Sequence, residues 1–158
     1  HASPPCTEYS IARTCAKTPR NLELADSLVQ RTLDIIDYFK PKAFFIENPF
    51  TGMLKRRPLM QHMEPYLRRV TYCRYGMLYR KETGIWTNLG DYWQPRPLCT
   101  RANPCPQVVD FWHLASAQQR ERLNQPRFKK EELYVIPAAL CKEIAEATEA
   151  FCHPSSSP

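Results

Sequence analysis

The sequence predicts an α/β fold: a small, incomplete open sheet with helices packed on it. Three observations carry this. An amphipathic helical pattern over 22–39 runs straight into a short continuous apolar segment, Ala43-Phe44-Phe45-Ile46. Further short runs of strand composition follow, and a second amphipathic helical pattern closes the chain. Such alternation of helix and strand is the mark of α/β architecture. The chain has 158 residues, 43% of them hydrophobic and 24% charged, which suits one globular domain. Three or four strands make an open sheet that is short of its usual complement. The chain also begins with His1, in what reads as the middle of an element, so an N-terminal half is expected to be missing.

Residues 1–21 read as loop: His1-Ala2-Ser3 suits the tail of a strand, and Pro4-Pro5 then forbids regular pairing. Asn21 is a good N-cap. In the helix over 22–39, Leu24, Leu28, Ile35 and Phe39 form an apolar stripe, with Ala25, Val29, Leu33 and Ile36 beside it, and Pro41 ends it. The apolar run 43–46 suits a buried parallel strand, stopping at Glu47-Asn48-Pro49, the carboxyl edge where α/β sheets place ligands. A short helix or irregular segment is expected over 55–67, strands at 69–73 and 85–87, and a turn at Tyr75-Gly76. Residues 89–107 are proline-rich and suit an ordered loop. The last helix is expected to start with Pro137 as its first residue, with Leu140, Ile144, Ala147 and Phe151 on one face.

Composition narrows the function classes. Lys and Arg outnumber Asp and Glu by 22 to 16, which permits an acidic partner such as nucleic acid without requiring one. No apolar run approaches the roughly 18–20 residues of a membrane span, and no signal peptide opens the chain, so no membrane role is expected. The four glycines form no G-x-G, which excludes the usual phosphate-cradling loop on this chain. Seven scattered cysteines are odd in number and too sparse for a secreted disulfide framework, and read as free thiols in a reducing, intracellular compartment.

Two motifs stand out. In Pro4-Pro5-Cys6, two prolines stiffen the backbone before a thiol, as suits a nucleophile that must be held in one place; a plain loop cysteine fits as well. In Glu47-Asn48-Pro49, a carboxylate at a strand edge is placed for proton transfer, or simply begins a solvated loop. Together they say more. A crossover through the helix would set the two strands side by side, so that Cys6 and Glu47, 41 positions apart, face one pocket.

The chain here resembles the catalytic region of the cytosine-5 DNA methyltransferases. The family's nucleophile sits in a Pro-Cys turn, matched by Pro5-Cys6, and its second carboxylate in an Glu-Asn motif after the next strand, matched by Glu47-Asn48. A Tyr-Gly turn into a basic stretch and a strand is matched by Tyr75-Gly76, then Arg80-Lys81, then Ile85-Trp86. Tyr134–Cys141 is similar to the closing segment of small, phage-type members. The resemblance covers nearly the whole chain in the family's order.

It implies a partial Rossmann-like sheet of the S-adenosylmethionine-dependent type and transfer of a methyl group from S-adenosylmethionine to C5 of a flipped cytosine in DNA, with RNA open as substrate. Cys6 would add to C6 and Glu47 would hydrogen-bond or protonate N3, with Asn48 beside it. Pro4, Pro5 and Pro49 would hold the loops, and Arg80 and Lys81 would lie near the base or its phosphate. Arg56 and Arg57, like Arg68 and Arg69, read equally as phosphate contacts or as plain surface. The implied organisation is a catalytic part over 1–88, a short target-recognition-like region over 89–132, a returning helix over 133–152 and a tail over 153–158.

The chain departs from the family in lacking the glycine-rich cofactor loop, which missing upstream sequence or a partner chain would supply. Tyr79 stands where a glutamine is usual and Gly84 where an arginine is expected, with Glu82 and Thr83 beside it. These departures support an alternative: a catalytically degenerate subunit with a structural or nucleic-acid-binding role. Cys99, Cys105 and His113 offer three zinc-ligand types, but the spacing matches no common finger and no fourth ligand follows. They read as free thiols in a proline-rich loop, and no metal is expected. Lys129–Glu132 reads as a solvated face, and Trp86, Trp93 and Trp112 as core or loop anchors.

Overall fold

In the first helix, α1 (Leu22–Phe39), the Asn21 side chain accepts from the Leu24 amide at 3.0 Å, satisfying one of the orphan N–H groups of the first turn. The helix ends at Lys40, which takes a left-handed conformation just before Pro41. The computed structural model describes residues 1–11, 13, 16–117, 126 and 128–154. The buried line of α1 is Ala25, Val29 and Leu33, one helical turn apart and supported by Leu22 and Ile36. The stripe singled out from sequence faces outward: Leu24, Leu28, Ile35 and Phe39 are 44–71% exposed. Both stripes run at helical spacing, and the sheet and the segment over 54–63 reach only one of them.

Three strands form the sheet: β1 (Phe45–Pro49), β2 (Leu67–Thr71) and β3 (Glu82–Thr87), in the order β1-β3-β2. β3 is antiparallel to both neighbours, with Glu47 opposite Ile85 and Val70 opposite Thr83. The expected parallel, Rossmann-like sheet is therefore not what the described residues form. The reason is local. Only residues 72–81 link β2 to β3, and a parallel crossover needs a dozen or more. One parallel pairing is present: Ala2 bridges Ile46, with the Ala2 amide donating to Phe45 and the Glu47 amide to Ala2, both at 2.8 Å. The strand tail expected at 1–3 thus lies beside β1, with α1 as the connection.

β1 runs through Glu47 and Asn48 and ends at Pro49, so these two side chains fall on opposite faces of the sheet. On one face, Ile46 and Trp86 pack with α1, Tyr9 and the 3₁₀ turns Leu54–Arg56 and Pro58–Tyr66. On the other, Val70, Ile85 and Phe45 meet Tyr72, Tyr75, Trp93 and the last helix. Two helices follow in the C-terminal part: α2 (Lys130–Tyr134) and α3 (Ala138–Cys152). Pro137 caps α3 instead of opening it, and Leu140, fully buried, leads the apolar face expected there. A short hairpin, β4 (Val108–Val109) and β5 (Trp112–His113), follows the proline-rich segment over 89–107; Trp112 is 56% exposed on it, whereas Trp86 and Trp93 are core.

Of the expected regions, 118–125 and 127 of the target-recognition-like segment and 155–158 of the tail lie outside the described residues, as does Cys15. Among the described residues no helix is long and apolar enough to cross a membrane.

Candidate active site

The Pro4-Pro5-Cys6 loop is anchored from several sides. Pro4 is buried, and its carbonyl accepts from the Asn48 amide at 2.9 Å. Beyond Cys6 the chain turns, with the Tyr9 amide donating back to the Cys6 carbonyl at 3.1 Å. Tyr9 is wholly buried, and its hydroxyl donates to Asp26 of α1 at 2.8 Å. Arg20 holds the Glu8 and Ser10 carbonyls. The thiol loop is thus fixed to β1 at one end and to α1 at the other.

Gly52 lets this loop meet the end of β1. A Cβ there would lie 3.1 Å from the Pro49 carbonyl oxygen and 3.4 Å from that of Tyr9, both backbone atoms. The neighbouring Met53 amide donates to Tyr9 at 2.9 Å. Close backbone approach of this kind favours glycine.

The two anchored segments open onto a cavity of about 370 Å³, lined by Cys6, Glu47, Asn48, Lys81 and Tyr134 together with Ser3–Thr7 and Pro49. Glu47 is nearly buried, and its Oε1 accepts from the Tyr72 hydroxyl at 3.1 Å. Burial and then the Glu47 charge push the Tyr72 phenol up, so it stays protonated and acts as the donor at neutral pH. Lys81 donates to the Leu133 carbonyl at 3.0 Å and lies 4.9 Å over the Tyr72 ring. Burial pulls the Lys81 ammonium down; attraction to the Glu47 carboxylate and to a Cys6 thiolate opposes it. The Asn48 Oδ1 is buried and makes no hydrogen bond among the described residues. A thiol, a carboxylate and an ammonium around one cavity can add a nucleophile to a polar ring and hold the charge that develops.

The chain is 33% identical over 161 residues to a protein of Frog virus 3 (isolate Goorha) named "Probable DNA (cytosine-5)-methyltransferase", and the match covers 92% of this chain and 72% of that relative. The chain belongs to the DNA cytosine-5-methyltransferase family. No family profile matches it, and no solved structure does.

Within this family member, the basic residues singled out from sequence part company. Lys81 reaches the cavity. Arg80 is exposed and pairs with Glu82. The Arg57 guanidinium is committed to Asp26, which it grips through Nε and Nη2, while Arg56 is exposed on its 3₁₀ turn. Tyr79 is wholly buried, donates to the Glu132 carbonyl at 3.3 Å and meets the Phe128 ring edge-on. A Cβ on Gly84 would meet Leu67 at 3.0 Å and Trp86 at 3.4 Å, on the face packed against α1. A side chain at Gly84 would therefore start against Leu67 and Trp86 and not at the cavity lining, where Lys81 is the basic residue among the described ones.

Sequence reasoning missed Tyr72 and Tyr134. Strand alternation was the available signal for the cavity face. Counting back by twos from Ile85, the partner of Glu47, arrives at Thr83 and Lys81.

Proposed function

We propose that this chain is the catalytic region of a DNA cytosine-5 methyltransferase and that its 370 Å³ cavity receives a flipped cytosine. The observation that carries this reading is the convergence of Cys6, Glu47 and Lys81 on one cavity, in a chain of this family. The Cys6 thiolate forms an Sγ–C6 bond while the C5=C6 π pair shifts toward C5. Glu47, oriented by Tyr72, hydrogen-bonds or protonates N3 and so draws electron density from the ring. Lys81 offsets negative charge on the thiolate before attack. C5 is thereby made the electron-rich atom, the one that would accept a methyl group from a bound donor. Loss of the C5 proton returns an electron pair to the ring, and the Sγ–C6 bond breaks. Asn48 acts on position: it ties Pro4, and hence the thiol loop, to β1.

S-adenosylmethionine, the usual methyl donor of such enzymes, does not fit the described residues by themselves. None of the four glycines lines the cavity, and its lining carboxylate, Glu47, already accepts from Tyr72. We place cofactor binding on upstream sequence or a partner chain and derive no step through it. The parallel bridge between Ala2 and Ile46 supports a larger Rossmann-like sheet continuing past that edge. Arg56 and Arg80, both exposed, are two of the arginines within reach of DNA phosphates in this reading. The catalytic part over 1–88 meets the end of α2 at the cavity, where Tyr134 joins the wall and Lys81 donates to the Leu133 carbonyl.

The degenerate-subunit reading keeps its support from the missing cofactor loop and from Glu82; Gly84 adds little to it, because a Cβ there would meet Leu67 and Trp86. The test is covalent trapping of the full-length protein on DNA carrying 5-fluorocytosine, with S-adenosylmethionine present. A DNA–protein adduct that maps to Cys6 and vanishes in Cys6→Ala supports the enzyme. A protein that binds this DNA and leaves no adduct is the degenerate subunit.

A further inference from the structure

We propose that Cys73, Cys99, Cys105 and His113 bind one structural zinc ion that clamps the proline-rich segment to the end of β2. The fourth donor that the sequence seemed to lack precedes the others: Cys73 lies in the turn directly after β2. One ligating atom from each of the four residues falls within 4.8 Å of every other. Zinc held at about 2.3 Å from sulfur and about 2.0–2.1 Å from nitrogen in a tetrahedron sets sulfur–nitrogen edges near 3.6 Å. Cys99 Sγ and Cys105 Sγ each lie 3.5 Å from His113 Nε2.

The surroundings fit a closed structural site. The three cysteines are 1–3% exposed, and His113 is half-buried. The Cys105 amide donates to Cys99 Sγ at 3.3 Å, an interaction that favours a thiolate. The Cys99 amide donates to Thr71 Oγ1 at 3.0 Å, which fixes the ligand loop to β2. Arg74 donates to the Asn103 carbonyl at 2.6 Å and reaches that of Leu98, bracketing Cys99. Three thiolates and a neutral imidazole around Zn²⁺ carry one net negative charge, and Arg80 presents its positive charge to His113.

Packing supplies the need for such a clamp. Among the described residues, the apolar residue packed against the three cysteines in this cluster is a partly buried Val108, a very small core for the loop and hairpin beside it. Three thiols and an imidazole converging there are a poor apolar core and a complete set of soft donors for zinc. Cys73 also adjoins Tyr72, the partner of Glu47, so the ion would brace the cavity wall from behind.

The experiment is metal analysis of the full chain, untagged and purified without added metal, with free thiols counted before and after a zinc chelator. The expected result is about one zinc per chain, three thiols protected until the metal is removed, and a lower melting temperature afterwards. Cobalt added to the metal-free protein should give the visible bands of a tetrahedral thiolate site, altered in His113→Ala. Cys73→Ser and Cys99→Ser should each lose the zinc; His113→Cys should keep it, which tells ligand loss from misfolding. A folded wild-type protein without stoichiometric zinc, whose cysteines all react at once and which takes up no cobalt, overturns the proposal. None of these readouts depends on methyl transfer.

Discussion

The Asn48 side chain donates to the Pro4 carbonyl at 2.9 Å, so one residue of the Glu-Asn strand directly holds the loop that carries Cys6. Glu47 and Asn48 are neighbours with opposite duties: strand alternation sends the carboxylate to the cavity face and the amide to the thiol loop. Replacing Asn48 with Ala leaves a buried carbonyl without its donor. The cost expected is about 1–3 kcal/mol of stability, with a loss of methyl transfer beyond what unfolding explains. Chemical denaturation and single-turnover rates at a temperature where both proteins are folded check this; unchanged values for both would deny Asn48 its positioning role.

Tyr72→Phe removes the hydroxyl that holds Glu47 Oε1. A hydrogen bond to a charged group is worth about 1.5–3 kcal/mol, so the chemical step should slow by roughly 10- to 100-fold. Glu47→Gln should slow it by a factor on the order of 10²–10⁴. If Tyr72→Phe is silent in a single-turnover assay while Glu47→Gln is not, the orienting role of Tyr72 fails.

Lys81 faces the Cys6 sulfur electrostatically, so Lys81→Gln should weaken the thiolate. Alkylation of Cys6 at pH 7, followed by mass spectrometry of its peptide, should slow several-fold to about tenfold relative to Cys152, at the C-terminal end of α3. Arg80→Gln should leave that rate unchanged, since Arg80 is exposed and pairs with Glu82. Equal effects of the two substitutions would contradict the assignment of Lys81 to the cavity.

The Arg57 guanidinium beside Asp26 holds that carboxyl below its ordinary value. The folded state therefore binds fewer protons at Asp26 than the unfolded state does. The stabilisation is fully present above the unfolded-state pKa, near 3.8, and is lost as pH falls through the lower folded-state value. Melting temperature should thus fall more steeply between about pH 5 and 2 in the wild type than in Asp26→Asn. Parallel curves would show that Asp26 makes no such contribution.

Much of this was readable from local pattern. The Asn21 cap, the eighteen residues of α1, the apolar run of β1 and the face of α3 follow from period, capping and proline chemistry. What escaped was decided by distant partners. Which of two adjacent stripes on α1 is buried depends on what the sheet offers it, and Leu24 and Leu28 turn out exposed. The antiparallel sense of β3 follows from the short connection over 72–81, which leaves no room for a crossover. Lys81 and Arg80 are indistinguishable as a basic pair until the strand register assigns each a face. Cys73 is far from Cys99 in the chain, and only the fold brings it beside the other three donors.

The most direct measurement is exchange of the C5 hydrogen of cytosine, followed as tritium released from C5-labelled DNA. It reports addition of a thiolate to C6 and needs no methyl donor. Wild-type protein should release tritium, Cys6→Ala should release none above background, and Glu47→Gln should be slowed by a factor on the order of 10²–10⁴. Release that persists undiminished in Cys6→Ala would contradict attack by this thiol, and with it the shared cavity as the place where cytosine reacts.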